Sequence, residues 1–345
     1  MLAVRFHEHG GPEVLKLEEV PTPAPGPGEV LIALRAAALN HLDLFVRDGI
    51  PGVNLPHIPG ADGAGVIAGH GQAAGRLPLG SRVFFDPGLS DGSCSYCARG
   101  EHSLCDNWKI LGEQTDGTYA QAVAVPEVNC RLIPERLSFE EAAAFPLVFL
   151  TAWRMLITKA RIKPGETVLI LGVGGGVSSA ALQIAKRAGA RVFVTSGSAD
   201  KLERARQMGA DILIDHRKID FSKEVWSITG KRGVDVVVDN VGAATWEGSI
   251  RALARGGRLV SCGATSGPKP EQDLRRVFAK QITIFGSTMG TRHDWEQVTA
   301  LLGQSQLEPI VDRVFPLEQA ADAQRVLSQA QQFGKIVLRI PPLKA

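Results

Sequence analysis

The chain carries no surplus of either charge. Its 38 lysines and arginines face 36 aspartates and glutamates, a formal net charge of +2. Nothing in that balance requires nucleic acid or an anionic membrane as a partner. No apolar run reaches the length of a transmembrane helix. The opening residues, MLAVRFHEHG, bear charge where a secretory signal needs an apolar core. A cytoplasmic protein is expected. Cysteine is sparse and odd in number: Cys94, Cys97, Cys105, Cys130 and Cys262. Three of them lie close together, which argues against a disulfide framework and for reduced thiols or a metal. There is no internal repeat and no low-complexity tail. What remains is 345 residues of ordinary globular composition, 44% hydrophobic and 21% charged, enough for two domains with a core each.

The strongest local pattern is TVLILGVGGGVSSAALQIAKR, residues 167–187. β-branched and apolar residues run into glycines, and a helix-period segment follows with Ala181, Ile184, Ala185 and Ala188 on one face. This predicts strand, tight turn, helix. Glycines let the backbone approach a bulky anion, and the start of the helix offers unpaired N–H groups. A dinucleotide pyrophosphate is expected at Gly172, Gly174, Gly175, Gly176 and Val177. The match to G-x-G-x-x-G is incomplete, because Val177 takes the third glycine's place; read as G-x-x-G-x-x-G, the turn ends on Ser178. A strict alternation follows. Strands are predicted at 167–172, 191–196, 211–215, 234–239, 257–262 and 282–287, with helices at 176–188, 199–208, 218–229 and 245–254. Continuous apolar runs such as VLIL and VVV suit strands covered on both faces. The expected fold class is α/β, with an open, doubly wound, parallel six-stranded sheet.

The first half reads differently. A strand and a proline-rich link fill 1–25, and a strand follows at 29–37. Residues 40–47 form a short helix, with Asn40 as N-cap, Asp43 placed to return the bond, and Gly49 closing it. Short apolar stretches among Gly and Pro over 56–87 suit an irregular β-barrel. A strand is expected at 118–125, a capping box opens a helix at 138, and a second helix begins near 151. After 288 come a helix at 294–302, a strand at 310–314, a helix at 317–329 and a last strand at 335–340.

Seven segments carry a resemblance: ALNHLDLFVRDG (38–49), HIPGADGAGV (57–66), the cysteine cluster (91–105), SFEEAAAFPLVFLTAW (138–153), the glycine turn, DNVG (239–242) and FGKIVL (333–338). In order and spacing the chain resembles the medium-chain dehydrogenase/reductase superfamily over essentially its whole length. The resemblance implies a GroES-like β-barrel catalytic domain over 1–148 and 289–345, with a lobe at 88–112. It implies a Rossmann dinucleotide-binding domain over 149–288, and an active site in the cleft between the two.

Alcohol dehydrogenases of that family hold a catalytic zinc through Cys, His and Cys, whereas quinone-oxidoreductase-like members use no metal. At the three ligand positions this chain has Asn40, Ala61 and Leu147. None is a plausible tetrahedral zinc ligand, so no catalytic zinc is expected. The pattern N-x-x-D-x-x-x-R-x-G (Asn40, Asp43, Arg47, Gly49) resembles the quinone-oxidoreductase branch. The family's structural-zinc pattern, C-x2-C-x2-C-x7-C, stands here as Asp91, Cys94, Cys97 and Cys105. Oxygen ligates zinc, though less well than a fourth thiolate in such a set. A structural zinc is expected, with a lobe that has lost its metal as the alternative.

Without a Lewis acid, conjugated carbonyls are the easier substrates, because hydride added at the far end of an enone or quinone delocalises charge onto oxygen. NAD(P)H-dependent reduction of quinones or α,β-unsaturated carbonyls is the leading expectation. Asn40 is the candidate for positioning or polarising the substrate. His41 is a candidate proton donor or phosphate contact, and Asp43 a candidate whose plainer account is capping. Trp108 and Tyr119 either line the cleft or belong to the core. After the second strand come Ser196, Gly197, Ser198 and Lys201. No carboxylate stands at 196 to repel a 2′-phosphate, which favours NADP and leaves NAD open. Asn240 with Val241, and Gly263 with Ala264, follow the fourth and fifth strands, where such a fold holds the nicotinamide ribose and amide. The resemblance adds Thr151 as a cofactor contact and Lys335 as a contact to the cofactor phosphate. The alternatives are an NAD-dependent alcohol dehydrogenase, and a dinucleotide-binding redox sensor or RNA-edge binder without catalysis. The expected partners are a small-molecule carbonyl substrate and further copies of the chain, in a homodimer or homotetramer through the edge strand at 282–287.

Overall fold

The computed structural model describes residues 1–343 and divides into two compact units. Residues 1–148 with those from 291 onward make the first, and 149–290 the second. Among the described residues no helix is long and apolar enough to cross a membrane.

The second unit is built on six parallel strands: Thr167–Ile170, Arg191–Ser196, Ile212–Asp215, Val234–Asp239, Leu253–Ser261 and Thr283–Gly286. Across the sheet they run third, second, first, fourth, fifth, sixth. The order reverses beside Thr167–Ile170, which pairs with both Arg191–Ser196 and Val234–Asp239. Ligands of open α/β sheets bind at such a reversal, beyond the carboxyl ends of the strands. Helices Gly176–Arg187, Ala199–Gln207, Phe221–Ile228 and Trp246–Ala252 make the crossovers. With both faces covered, Val168, Leu169, Val236 and Val237 lose all contact with solvent. Helix starts follow local chemistry: Ser198 accepts from the N–H of Lys201, and Asp220 from those of Ser222 and Lys223.

Three features depart from the sequence reading. A helix, Leu274–Lys280, lies between the fifth and sixth strands; none of its residues is fully buried, and the half-buried Val277 that packs on the core is too little of an apolar stripe to read. The fifth strand begins at Leu253 rather than 257, through a register shift opposite Val234–Val236 and a Gly256-Gly257 pair that breaks the apolar pattern. The helix expected near 151 begins at Pro146, a residue suited to a first helical turn, and passes into a π-helical stretch, Arg154–Lys159. Thr151 therefore lies inside a helix. The edge strand Thr283–Gly286 pairs on one side only, and Ile284 on it is exposed, as are Leu274 and Phe278.

In the first unit the strand Glu29–Ala38 is central. It pairs antiparallel with Asp62–His70, Ala122–Pro126 and Lys335–Arg339. The register sets Ala38 opposite both Asp62 and Val337. The end of one strand and the starts of two others therefore meet at one spot. The apolar faces of these strands, among them Ile32, Leu34, Ile67, Val123 and Leu338, form the core beneath it. A short strand, Lys16–Glu19, paired with Leu2–Arg5, occupies the stretch expected to be only a link. The helix His41–Asp48 ends at Gly49, whose φ of +110° suits the left-handed closing position.

Candidate functional site

In the second unit the glycine turn follows Thr167–Ile170 and opens Gly176–Arg187, with Gly175 as N-cap. Gly172 and Gly174 have φ of +63° and +120°, values that L side chains rarely adopt. A Cβ at Gly174 would stand 2.7 Å from Lys201 Cδ, so the Lys201 side chain lies directly against the turn. The turn is tied down at both ends. Gly172 N–H donates to Thr195 Oγ1 at 3.1 Å, and Ser178 Oγ donates to the Gly172 carbonyl at 2.8 Å. Ser178 is thus a structural clamp in the third glycine's place. Beyond the fourth strand, Asn240 Oδ1 is buried without a hydrogen-bond partner. An orphaned acceptor beside a glycine cradle fits a dinucleotide, whose ribose hydroxyls and carboxamide are donors. Asp239, by contrast, is spent internally on the N–H groups of Val241 and Gly242 and the hydroxyls of Thr245 and Ser249.

At the end of the second strand, Ser196 Oγ accepts from the N–H of Ser198 at 3.2 Å. A Cβ at Gly197 would stand 3.0 Å from Arg217 Nε and 3.1 Å from His216 Nε2. These two residues follow the third strand and add cationic or protonatable groups to Lys201. They escaped the sequence reading because only strand pairing brings them beside Gly197. Thr151, 5% exposed, donates to Met289 Sδ at 3.9 Å. Val241, Gly263 and Ala264 follow the fourth and fifth strands as expected.

The first unit holds a buried polar cluster where Asn40, Asp62 and Lys335 meet. Lys335 Nζ donates to Asn40 Oδ1 at 2.5 Å and to Asp62 Oδ2 at 2.9 Å. Asn40 Nδ2 donates to Asp62 Oδ2 at 2.9 Å and to the Ala38 carbonyl at 3.4 Å. The other carboxylate oxygen of Asp62 accepts from the N–H of Leu147 at 2.8 Å. The three side chains are 5%, 0% and 4% exposed. The Lys335 ammonium bonds two buried acceptors. Gly334, with φ of +99° and no room for a Cβ beside the Ile310 carbonyl, sets the path of the chain into this strand. Asp62 was missed as a participant; its one signal was an acid directly after Ala61.

Next to this cluster, Asp43 Oδ2 accepts from Asn40 N–H and from the Tyr119 hydroxyl, both at 2.9 Å. Asp43 Oδ1 is buried with no partner. Burial pushes the Asp43 carboxyl up to about 7; the Asn40 and Tyr119 bonds and the Lys335 charge pull the other way, and Asp62 adds to the rise. Asp43 has no exposed surface and bonds the start of the helix. Tyr119 belongs to the core and is 0% exposed. Trp108 is half-buried, with its indole N–H unpartnered. His41 is partly exposed at the first helical position, and burial, then the Lys335 charge, hold its pKa below the ordinary value. Arg47 ties the helix to Ala320–Ser328 through a 2.5 Å bond to Gln324 Oε1.

The three positions at which a catalytic zinc would need its ligands hold Asn40, Ala61 and Leu147. Ala61 has no donor atom, Leu147 contributes only its backbone N–H, and an ammonium stands against the two oxygen-bearing side chains. The lobe does fit a metal. One ligand atom each from Asp91, Cys94, Cys97 and Cys105 lies within 4.8 Å of the others, the only such group of three or more among the described residues. All four cysteine and aspartate positions are filled by protein, as in a closed structural site. Asp91 accepts from the N–H groups of Ser93 and Cys94 and from Asn107, which hold its carboxyl well below the usual range. All five cysteines are free thiols.

Comparison with known proteins supports the fold. Residues 26–135 match the alcohol dehydrogenase GroES-like domain, and 176–304 match the zinc-binding dehydrogenase family. A solved structure described as an NAD-dependent alcohol dehydrogenase is 47% identical with a TM-score of 0.95, covering 99% of this chain and 100% of its own. The NAD-dependent alcohol dehydrogenase of Sulfolobus acidocaldarius is 33% identical, over 99% of this chain and 100% of the relative. The quinone oxidoreductase of Homo sapiens is 30% identical, over 98% and 97%. The N-terminal unit is GroES-like, the second a Rossmann sheet, and the chain is a dinucleotide-dependent oxidoreductase belonging to the medium-chain zinc-type alcohol dehydrogenase/quinone oxidoreductase superfamily.

Proposed function

We propose that the protein interconverts a small carbonyl compound and its alcohol by hydride transfer, with activation of the carbonyl by protein groups rather than by a catalytic zinc. The observation that carries this reading is the Asn40–Asp62–Lys335 cluster, in which a buried cation bonds an acid and Asn40, the residue at one of the three positions where zinc-type relatives would need a metal donor. A nicotinamide dinucleotide supplies the hydride when bound. Gly172, Gly174, Gly175, Gly176 and Val177 would hold its pyrophosphate, and Asn240 Oδ1 would accept from its ribose or amide. Ser196, Ser198, Lys201, His216 and Arg217 support NADP over NAD, because hydroxyls and cations, not a carboxylate, gather at the end of the second strand.

On the substrate, the relatives named NAD-dependent alcohol dehydrogenases, at 47% and 33% identity, support a simple alcohol–carbonyl couple ahead of the quinone or enone expected from the sequence. The second reading, a quinone or α,β-unsaturated carbonyl, is supported by the human relative and by the absence of zinc donors at 40, 61 and 147. Aspartate and three cysteines support a structural zinc in the lobe, and the one-sided edge strand Thr283–Gly286 supports a homodimer. Initial rates with NADPH and NADH against an aldehyde, a ketone, an enone and a quinone test the function. We expect carbonyl reduction with no more than one zinc per chain. Activity that requires a second zinc would overturn the reading.

A further inference from the structure

The link after the second strand carries a proline at every second place: Pro21, Pro23, Pro25 and Pro27. Successive N–H groups of an extended chain point to opposite sides, so these prolines strip one side of donors, and the link forms no strand. Among the described residues the strand Ala122–Pro126 pairs only with Glu29–Ala38. Its other edge has no strand beside it. A cavity of about 480 Å³ lies between that edge and the link, wholly within the first unit. Its walls are mainly apolar, with Val20, Pro23, Ile58, Leu111 and Val123 among them. Asn40, Asp62 and Lys335 take no part in it. Size and walls are those of a small-molecule site, for which about 300–1,000 Å³ is usual. We propose that this cavity binds an uncharged, mainly apolar ketone or alcohol, anchored by a hydrogen bond to Thr115 Oγ1.

Thr115 lines the cavity, and its hydroxyl oxygen is buried without a hydrogen-bond partner. Its backbone is satisfied, since the Thr115 carbonyl accepts from the Gly112 N–H at 2.9 Å. The side chain alone is left with an unmet bond, which a ligand can supply. A hydroxyl donates to a carbonyl oxygen and accepts from an alcohol, so both ligand types are matched. The charges on the lining residues argue for a neutral ligand. Met1 and Arg5 bring two cations, Glu29 and Asp116 two anions, and neither sign is in excess. Each is also engaged within the protein. The Met1 ammonium donates to the Val20 carbonyl at 2.8 Å, and Arg5 Nε to Glu18. Glu29 Oε2 accepts from the Gly26 N–H at 2.8 Å, and Asp116 Oδ1 from the Ile58 N–H at 3.0 Å. A charged ligand would lose its hydration and find no opposite charge in surplus. Binding here needs neither hydride transfer nor the second unit, so it stands apart from the proposed function.

The probe is 6-propionyl-2-dimethylaminonaphthalene, an uncharged ketone whose emission moves to the blue in an apolar site. It is titrated into the full-length protein without added dinucleotide, so that it does not react. We expect a saturable blue shift with one dye bound per chain. Two variants locate it. Pro23→Trp fills the cavity from the link, where no strand pairing is disturbed, and should abolish the shift. Thr115→Val keeps the shape of the side chain without its hydroxyl and should weaken the dye about fivefold, as on loss of one hydrogen bond. Because the hydroxyl has no partner in the free protein, the same variant should melt no lower than the native chain. It carries the test alone if Pro23→Trp fails to fold. Competition fixes the ligand class: 2-naphthalenemethanol should displace the dye at concentrations at least tenfold below those of 2-naphthoate or 2-naphthalenemethylamine. An unsaturable titration, a native-like one in Pro23→Trp, or undiminished affinity in Thr115→Val would overturn the inference. So would displacement by the carboxylate or the ammonium compound as readily as by the alcohol. A melting temperature several degrees lower in Thr115→Val would give the hydroxyl an internal partner and remove the anchor.

Discussion

Lys335 Nζ lies 2.9 Å from Asp62 Oδ2, and neither side chain keeps more than 4% of its surface in contact with water. The two residues are 273 positions apart in the chain and meet because Ala38 pairs with both of their strands. A charge pair this deep is costly to form and costlier to break on one side, since the remaining charge has no solvent. Lys335→Met and Asp62→Asn should each destabilise the protein by about 3 kcal/mol. The double variant should cost clearly less than the sum. Urea unfolding of the native protein, the two single variants and the double variant measures the coupling. Additive losses would mean that the pair contributes nothing as a pair.

Asp43 predicts a pH dependence of stability. Its carboxyl titrates near 7 in the folded protein because of burial, against about 3.9 in an unfolded chain. Between these values the folded state binds the proton that the unfolded state has released. Stability therefore falls as pH rises from about 4 to about 7, by up to about 1.4 kcal/mol per pH unit from this group, and levels off above. In Asp43→Asn the amide nitrogen would sit at the place of the unpartnered Oδ1. The variant keeps an oxygen for Asn40 N–H and Tyr119 hydroxyl. Its melting temperature should vary less between pH 5 and 7 than that of the native protein. Equal slopes would show that Asp43 is ionised throughout.

The six strands and most helices of the second unit were legible in the sequence because its strands are short apolar runs bounded by Gly, Ser or Asp, and the four expected crossover helices each have a buried face. Leu274–Lys280 was not, since it buries no residue fully and the one half-buried Val277 on the core leaves no periodic trace. In the first unit Asn40 and the lobe could be read, the one from a cap pattern and the family likeness, the other from spacing. Asp62 and Lys335 as partners could not. Their meeting depends on strand register, which is a property of the folded sheet and not of any local stretch. Arg217 was hidden for the same reason: it comes beside Gly197 only once the second and third strands pair.

The lobe predicts one structural zinc per chain. Cys97 and Cys105 are buried and Cys94 half-buried, with the exposed Asp91 completing the set. Burial, then the neighbouring thiols of Cys94 and Cys105, push the Cys97 thiol up to about 11, so the metal has to displace a proton that the isolated thiol holds firmly. Metal analysis should give close to one zinc per chain in the native protein and much less in Cys97→Ser. That variant should lose thermal stability while keeping its kcat at a temperature where it is folded. Loss of kcat in step with zinc would mean the lobe is not merely structural.

The choice of cofactor turns on Ser196. Its hydroxyl is 5% exposed at the end of the second strand and accepts from the N–H of Ser198. An aspartate there can accept the same bond, so Ser196→Asp preserves the turn while adding a negative charge. Arg217 and His216, held beside Gly197, and Lys201 at the glycine turn are the groups that would meet a 2′-phosphate. The new carboxylate opposes that phosphate and can accept instead from the free ribose hydroxyls of NAD. The ratio of kcat/KM for NADH to that for NADPH should rise at least about tenfold, equivalent to about 1.4 kcal/mol of discrimination. Gly174→Ala is the control. Its φ of +120° and the Lys201 side chain 2.7 Å from a built Cβ oppose any side chain whichever dinucleotide binds. It should weaken both cofactors by similar factors and leave their ratio unchanged. A ratio that moves with Gly174→Ala, or stays fixed with Ser196→Asp, would place the discriminating contact in the glycine turn instead of at the end of the second strand.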